Sequence, residues 1–170
     1  MRRLPHRLAR PLLIAVVVLG GPACAAAEQL SLPGLDGGSY TLAHWRGRAI
    51  VLNFWASWCE PCIAEIPHLV ALQKRYRERG LSVVGVGIDD PAKLRNVART
   101  LEINYPVLVA NQDRARALLK SWGDKAGVVP YLVLLDGNGQ VSATHLGPID
   151  QDGLDEFVEP LMIGKPGRQE

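Results

Sequence analysis

Cysteine is scarce in this 170-residue sequence, which contains three, and the scarcity excludes whole classes of protein. Small exported domains that are held together by disulfides use several bridges, and a structural zinc site needs four ligands. Two of the three cysteines, Cys59 and Cys62, are separated by only two residues. A multi-disulfide scaffold is therefore excluded, and no second cysteine pair is present to complete a zinc site.

Excess charge is lacking as well, since 19 basic and 17 acidic residues give a net charge of +2. The first 27 residues contain four arginines and no acidic residue, so the remainder has 15 basic and 17 acidic residues and a net charge of −2. A nucleic-acid-binding domain would carry a basic patch, so we expect no nucleic-acid partner. Hydrophobic residues make up 48% of the chain, which is enough for a core and excludes global disorder.

Long apolar runs are missing, and the run at residues 12–19 is shorter than the ~20 residues of a membrane-spanning helix. It follows a basic start and precedes small residues ending at Ala27, which is typical of a signal peptide. We expect residues 1–27 to be cleaved and residues 28–170 to form one soluble, periplasmic or otherwise extracytoplasmic domain without Cys24. An uncleaved leader would instead anchor the protein to a membrane.

Strand and helix patterns alternate through the rest of the chain. Short apolar pieces among glycines predict a hairpin at residues 30–42. Apolar runs predict strands at residues 49–54, 81–88, 106–109, 131–135 and 141–146, and helical periodicity predicts helices at residues 59–79, 91–101, 112–122 and 150–161. This order predicts an α/β fold with a mixed central sheet and helices on both of its faces.

The Cys59-Glu60-Pro61-Cys62 segment is the strongest candidate for chemistry, because it follows a predicted buried strand and opens a predicted helix. Free backbone N–H groups and the helix dipole stabilise an anion at a helix N terminus, so the first thiol becomes more acidic and more reactive. The second thiol lies one turn further on and can attack a mixed disulfide. Pro61 stiffens the turn, and Glu60 places a carboxylate beside Cys59.

The cysteine pair has three other possible interpretations. The histidines at positions 44, 68 and 145 lie in no ligand-spaced motif, so no metal is expected. Covalent haem attachment needs a histidine directly after the pair, where Ile63 stands. A purely structural disulfide between such near neighbours would close a loop too small to stabilise the fold much. The remaining interpretation is a redox-active pair of cysteines, which needs no separate cofactor.

The segment at residues 53–62, Asn-Phe-Trp-Ala-Ser-Trp-Cys-Glu-Pro-Cys, resembles the active-site segment of thioredoxin-like proteins of the TlpA/ResA type. The resemblance extends over residues 30–161 and implies a thioredoxin fold. It also implies a cis-proline at Pro130 facing the cysteines, with Val129 binding substrate backbone. Residues 89–122 resemble the central insertion that separates this group from plain thioredoxin.

The same resemblance also predicts roles for residues near the cysteine pair. Asn53 stands where plain thioredoxin has a buried aspartate, and Glu65 occupies the position of a glutamate that this group places three residues after its second cysteine. We therefore expect Glu65 to transfer a proton to or from Cys62, although a solvent-exposed helix residue is the alternative. We expect Trp55 to lie in the core and Trp58 to contact substrates at the surface.

The resemblance implies an extracytoplasmic thiol-disulfide oxidoreductase that acts as a monomer on exported protein thiols and disulfides. A membrane thiol-disulfide transporter would supply its electrons, and apocytochrome c before haem attachment is a candidate client, which links the chain to cytochrome c biogenesis. Glu60 disfavours a thiolate at Cys59, so we expect a reductant. The alternatives are a peroxiredoxin-type peroxidase, whose upstream proline and hydroxyl residue are replaced by Leu52 and Ala56, and a non-catalytic binding module.

Overall fold

The structure of the chain is a computed structural model that describes residues 30–163. The signal peptide that we predict for residues 1–27 lies outside the described residues. The described part forms the strands β1 (Ser31–Pro33), β2 (Ser39–Thr41), β3 (Ala49–Trp55), β4 (Leu81–Gly87), β5 (Val107–Val109), β6 (Tyr131–Leu135) and β7 (Val141–Leu146). Its α-helices are α1 (Glu60–Tyr76), α2 (Pro91–Thr100), α3 (Gln112–Ser121) and α4 (Gln151–Met162).

Five strands form one mixed sheet in the order β5-β4-β3-β6-β7. Strands β3, β4 and β5 are parallel to one another, whereas β6 runs antiparallel to both of its neighbours. Strands β1 and β2 form a separate hairpin, which touches the sheet where Gly34 bridges to Leu108 of β5. The predicted mixed sheet and N-terminal hairpin are confirmed.

Strand β3 is buried along its whole length because helices cover both faces of the sheet. Val51 and Trp55 point to the face that α1, α2 and α4 cover, and Leu52 and Phe54 point to the face that α3 covers. This alternation is the two-residue period of a strand with a core on each side. The predicted buried position of Trp55 is confirmed, since none of its surface is exposed.

Local sequence sets the ends of α1. Cys59 is its N-cap residue, and a 3-10 turn at Arg77–Arg79 continues the helix as far as Gly80. Gly80 has a φ of 85°, a left-handed conformation that glycine adopts without steric cost. Because β3 ends at Trp55 and α1 starts at Glu60, the cysteine pair lies at the C-terminal end of the central strand.

The proposed insertion, residues 89–122, contains α2, the edge strand β5 and α3. Asp90 caps α2, because its carboxylate accepts hydrogen bonds from the backbone N–H groups of Ala92 and Lys93. None of the helices within residues 30–163 combines the length and the apolar character that crossing a membrane would require.

Candidate active site

Cys59 and Cys62 form a disulfide at the start of α1, with their Cα atoms 5.3 Å apart. The backbone N–H of Cys62 donates a hydrogen bond to Sγ of Cys59 over 3.3 Å. Cys59 retains 5% of its surface exposed and Cys62 none, so only the first cysteine of the pair keeps any contact with solvent. The structure therefore makes the two cysteines chemically unequal.

The same N-cap geometry suits a thiolate at Cys59. The amide of Cys62 already points at the sulfur, and an ionised acceptor makes such a hydrogen bond stronger. The positive end of the α1 dipole adds to this effect. Glu60, the first residue of the helix, is exposed and acts in the opposite direction because its negative charge follows Cys59 directly.

Glu65 lies on the buried face of α1, one turn beyond Cys62. Its residue surface is 1% exposed, and neither carboxylate oxygen makes a hydrogen bond of good geometry with the described residues. Burial raises the pKa of Glu65 from 4.5 to about 8, and the nearby backbone N–H of Ile149 opposes that rise only weakly. The alternative of a solvent-exposed Glu65 is therefore wrong.

A depression of about 320 Å³ connects the surroundings of Glu65 with solvent. Pro61, Ala64, Glu65 and His68 line it from α1, and it is closed on the other side by residues 148–150, which precede α4. A carboxyl with a pKa near neutrality that borders such a depression can take up and release protons at physiological pH. This position fits proton exchange with the neighbouring Cys62.

An exposed apolar surface accompanies the cysteine pair. Trp58 precedes Cys59 with 68% of its surface exposed, which confirms its predicted surface position. The Val129-Pro130 peptide bond is cis, as predicted, and Val128 is 48% exposed. Because β6 pairs antiparallel with β3, the start of β6 lies beside the end of β3. The segment before β6 is therefore on the same side of the sheet as the cysteines that follow β3.

The segment before Pro130 is held in place by a residue that the sequence analysis missed. Asp124 is 3% exposed, and its carboxylate accepts hydrogen bonds from the backbone N–H groups of Ala126 and Val128 at 2.9 and 2.7 Å. Its position after Gly123, ahead of a valine-valine-proline segment, is the local signal that could have identified it. Asp124 thus fixes the backbone that leads into the cis-proline.

Asp124→Ala is expected to lower the free energy of unfolding by about 1–3 kcal/mol, because two partly buried N–H groups lose their acceptor. Protease cleavage between residues 123 and 129 should accelerate at the same time. Urea unfolding and limited proteolysis measure the two effects. Lys125→Ala removes an exposed side chain from the same segment and serves as the control. Equal stability and cleavage in both variants would contradict the assigned role.

A second network fixes the loop in front of Cys59. Ser57 donates a hydrogen bond from its hydroxyl to the buried Asp89, which also accepts one from Nε2 of Gln112 at 3.0 Å. Burial raises the pKa of Asp89, but hydrogen bonds from Ser57 and the Asp90 backbone, together with the charge of Lys93, outweigh it and hold the pKa below its usual value. The ionised Asp89 ties the loop to the end of β4 and the start of α3.

Comparison with known proteins gives consistent results. The thiol-disulfide oxidoreductase ResA of Geobacillus thermodenitrificans is 27% identical over 138 residues, which cover 81% of this chain and 76% of that protein. A thioredoxin family thiol:disulfide interchange protein from Chlorobium tepidum matches with a TM-score of 0.68 and 31% identity over 78% of this chain and 92% of its own. StoA from Bacillus subtilis shares the fold, with a TM-score of 0.60 and 20% identity over 76% of this chain and 95% of its own.

A family model, the AhpC/TSA family, matches residues 24–144, which is well over half of the chain. The relatives are named for thiol-disulfide exchange, and Leu52 and Ala56 stand at the positions where a peroxidase needs proline and a hydroxyl, so the peroxidase alternative is not favoured. The thioredoxin fold with its mixed five-stranded sheet is confirmed by the solved structures. The chain belongs to the AhpC/TSA family and, within it, to the thioredoxin-like proteins of the TlpA/ResA type.

Proposed function

We propose that this chain is a protein thiol-disulfide oxidoreductase in which Cys59 and Cys62 are the catalytic residues. The observation that carries the proposal is the disulfide at the N-cap of α1, with one sulfur accessible and the other buried. The proposal is supported by the names of the relatives, which describe thiol-disulfide oxidoreductase and thiol:disulfide interchange proteins. The direct test is to mix the reduced protein with a disulfide-containing polypeptide and to count the thiols released.

In the reducing direction, the Cys59 thiolate attacks one sulfur of a client disulfide. A mixed disulfide forms between Cys59 and the client, and the other client sulfur leaves as a thiolate that takes up a proton. Cys62 then loses its proton, attacks Sγ of Cys59 and releases the second client thiolate. The client gains two electrons, and the Cys59-Cys62 dithiol becomes the disulfide seen in the structure.

Glu65 is the proposed acceptor of the proton that Cys62 loses. Cys62 is buried, so water cannot reach its thiol directly. Glu65 follows on the same helix face and has a pKa of about 8, so at neutral pH a fraction of it is ionised and can act as a base. The depression beside it provides a path by which the proton can return to solvent.

Trp58, Val129 and Pro130 are the proposed substrate-binding residues. Trp58 offers a large exposed aromatic surface next to the reactive sulfur. The half-buried Val129 leads into β6 at the same edge of the sheet, where its backbone can pair with an extended client segment as an added strand. This mode of binding recognises a polypeptide backbone and tolerates different client sequences.

The proposed direction is reduction, and Glu60 and Pro61 are the proposed redox-tuning residues. Two like charges a few ångströms apart cost roughly 1 kcal/mol or more at a surface-like dielectric, so the Glu60 carboxylate disfavours a thiolate at Cys59. A less stabilised thiolate makes the dithiol a better electron donor. Pro61 stiffens the turn between the two sulfurs in the first turn of α1.

A redox titration against glutathione is expected to place the reduction potential nearer to about −270 mV, the value of thioredoxin, than to about −120 mV, the value of DsbA. Glu60→His should raise the potential, because it removes the negative charge that opposes the thiolate. Glu78→His changes an exposed glutamate in the turn after α1 and should leave the potential unchanged. A potential near that of DsbA would contradict the proposed direction.

The proposal includes export and partners. The signal-peptide pattern of residues 1–27 supports an extracytoplasmic domain over residues 28–170, which acts as a monomer. Outside the cytoplasm, the oxidised protein would be reduced again by a membrane thiol-disulfide electron donor. Exported proteins with disulfides are the proposed clients, and an apocytochrome c whose haem-binding cysteines must be reduced is one of them.

A further inference from the structure

A short segment, residues 56–59, connects β3 to α1, and its last residue is the N-cap Cys59. Cys59 has an extended backbone, with a φ of −90° and a ψ of 97°, and in this conformation its Sγ accepts the hydrogen bond from the N–H of Cys62. A thiolate at Cys59 depends on that N–H and on the other free amides at the start of the helix. The conformation of the segment therefore sets how well the thiolate is stabilised.

A side chain holds the middle of this segment. The half-buried Ser57 lies two residues before Cys59, and its hydroxyl donates a hydrogen bond to Oδ2 of Asp89. Asp89 lies just beyond the end of β4, so this bond connects the segment with the neighbouring strand of the sheet. Within the segment itself, the backbone N–H of Cys59 donates to the carbonyl of Ala56 at 3.1 Å. The hydroxyl of Ser57 thus ties a locally folded turn to the body of the protein.

Asp89 is itself fixed from the opposite side. It is 5% exposed, and its Oδ1 accepts hydrogen bonds from the backbone N–H of Asp90 at 2.7 Å and from Nε2 of Gln112 at 3.0 Å. Nζ of Lys93 lies 3.7 Å from the same oxygen. These contacts join Oδ1 to the starts of α2 and α3. The carboxylate cannot rotate without breaking them, so it presents Oδ2 to Ser57 in one orientation.

We propose that Asp89 is a positioning residue for thiol-disulfide exchange, which acts through the hydroxyl of Ser57 and holds Sγ of Cys59 on the free N–H groups of α1. The inference rests on the proposed function of the cysteine pair. It also gives the insertion, residues 89–122, a part in the reaction, because both Asp89 and Gln112 belong to it. The reactive sulfur is then positioned by the insertion as well as by the strand and the helix that flank it.

The elements that meet at this hydrogen bond also carry the charged side chains of Glu60, Asp90, Lys93 and Asp113. Replacing Ser57 changes none of these charges and leaves the charge of Asp89 in place. A shift in the ionisation of Cys59 in a Ser57 variant therefore reports a change in geometry. Asp89→Asn, by contrast, changes the geometry and the charge together, so Ser57 is the position to vary first.

The test is the pH profile of Cys59 alkylation by iodoacetamide in the reduced protein, measured for Ser57→Ala and Ser57→Thr. Alanine removes the hydroxyl, so the N-cap of α1 loosens and the thiolate loses part of its stabilisation. We expect the midpoint of the profile to move upward by about half a pH unit in Ser57→Ala. Threonine keeps the hydroxyl, so Ser57→Thr should retain the midpoint of the natural protein.

Ser121→Ala is the matched control, because it removes a serine hydroxyl that donates to the carbonyl of Leu118 at 2.7 Å within α3. Its midpoint should equal that of the natural protein. An unshifted midpoint in Ser57→Ala would overturn the inference. An equal shift in Ser57→Thr would overturn it as well, because the hydroxyl would then have no part in the effect.

A double-mutant comparison tests whether Asp89 is the partner. In Asp89→Asn the amide oxygen is expected at the Oδ1 position, which accepts two N–H groups, so the amide nitrogen replaces Oδ2 and cannot accept the hydroxyl of Ser57. The midpoint shifts of Ser57→Ala and Asp89→Asn should therefore not add when the two are combined. Fully additive shifts would overturn the role of Asp89.

None of these outcomes depends on exchange with a client, because alkylation reports only the Cys59 thiolate. A failed inference therefore leaves the proposed function standing. The proposed function fails by a different result, full exchange activity in Cys59→Ser.

Discussion

Cys59→Ser is expected to abolish thiol-disulfide exchange, while Cys62→Ser should convert the enzyme into a trap. Serine at position 59 removes the only sulfur of the pair that solvent reaches, so no mixed disulfide can form. Serine at position 62 leaves the nucleophile Cys59 in place and removes the thiol that would release the client. The release of client thiols is measured for the first variant and the covalent adduct by non-reducing electrophoresis for the second.

Alkylation of the reduced natural protein near neutral pH is the matched measurement for the same assignment. Cys59 should be labelled much faster than Cys62, because it keeps 5% of its surface exposed while Cys62 keeps none, and its sulfur lies at the N-cap of α1. Faster labelling of Cys62 would reverse the roles of the two cysteines. Full activity in Cys59→Ser would instead favour a non-catalytic binding module over an enzyme.

Much of the fold follows from signals that are local in the sequence. The predicted bounds of β6 and β7 agree with Tyr131–Leu135 and Val141–Leu146 because the turn between them is specified by its own residues. The backbone N–H of Gly139 donates to the carbonyl of Asp136, and Gly139 adopts a φ of 80° that glycine readily provides. Helix α1 begins where predicted for a similar reason, since Cys59 is its own N-cap.

The cysteine pair and Trp58 could be located from the sequence because their positions depend on one strand, one loop and one helix start. The burial of Glu65 could not be derived in this way, because residues 148–150 must fold back against α1 to cover it. The position of Tyr105 carries no local signal either. Its ring comes to lie beside Gly85 of β4 only through the pairing of β5 with β4, in which Val107 lies opposite Gly85. The burial of Glu65 and the position of Tyr105 are therefore set by contacts between elements that are distant in the sequence.

Glu65→Gln is expected to make the protein slower and more stable at the same time. The rate of exchange should fall by about 100-fold, the lower end of what general acid-base catalysis contributes, because glutamine cannot accept the proton of Cys62. The stability effect follows from the pKa of Glu65, which is about 8 in the folded protein and 4.5 as its ordinary value. The folded state therefore holds a proton that the unfolded state has released.

The sign of the pH dependence follows from this difference. Below pH 4.5 the carboxyl is protonated in both the folded and the unfolded state, so its ionisation does not change the free energy of unfolding. As the pH rises from 4.5 towards 8, the unfolded state gains from ionisation and the folded state does not, so the stability of the natural protein falls. At pH 7 the cost is about 3 kcal/mol, and at pH 5 it is about 1 kcal/mol.

Urea unfolding of the oxidised proteins at pH 5, 7 and 8 measures the effect. The advantage of Glu65→Gln over the natural protein should grow with pH across this range, because glutamine never ionises while its amide meets the same buried surroundings. Glu156→Gln changes an exposed glutamate on α4 and should show no such trend. If Glu65→Gln and Glu156→Gln followed the same pH dependence, ionisation of Glu65 would carry no cost in the fold. A carboxyl that ionises without cost would have an ordinary pKa, and it would then be too weak a base at neutral pH to take the proton of Cys62.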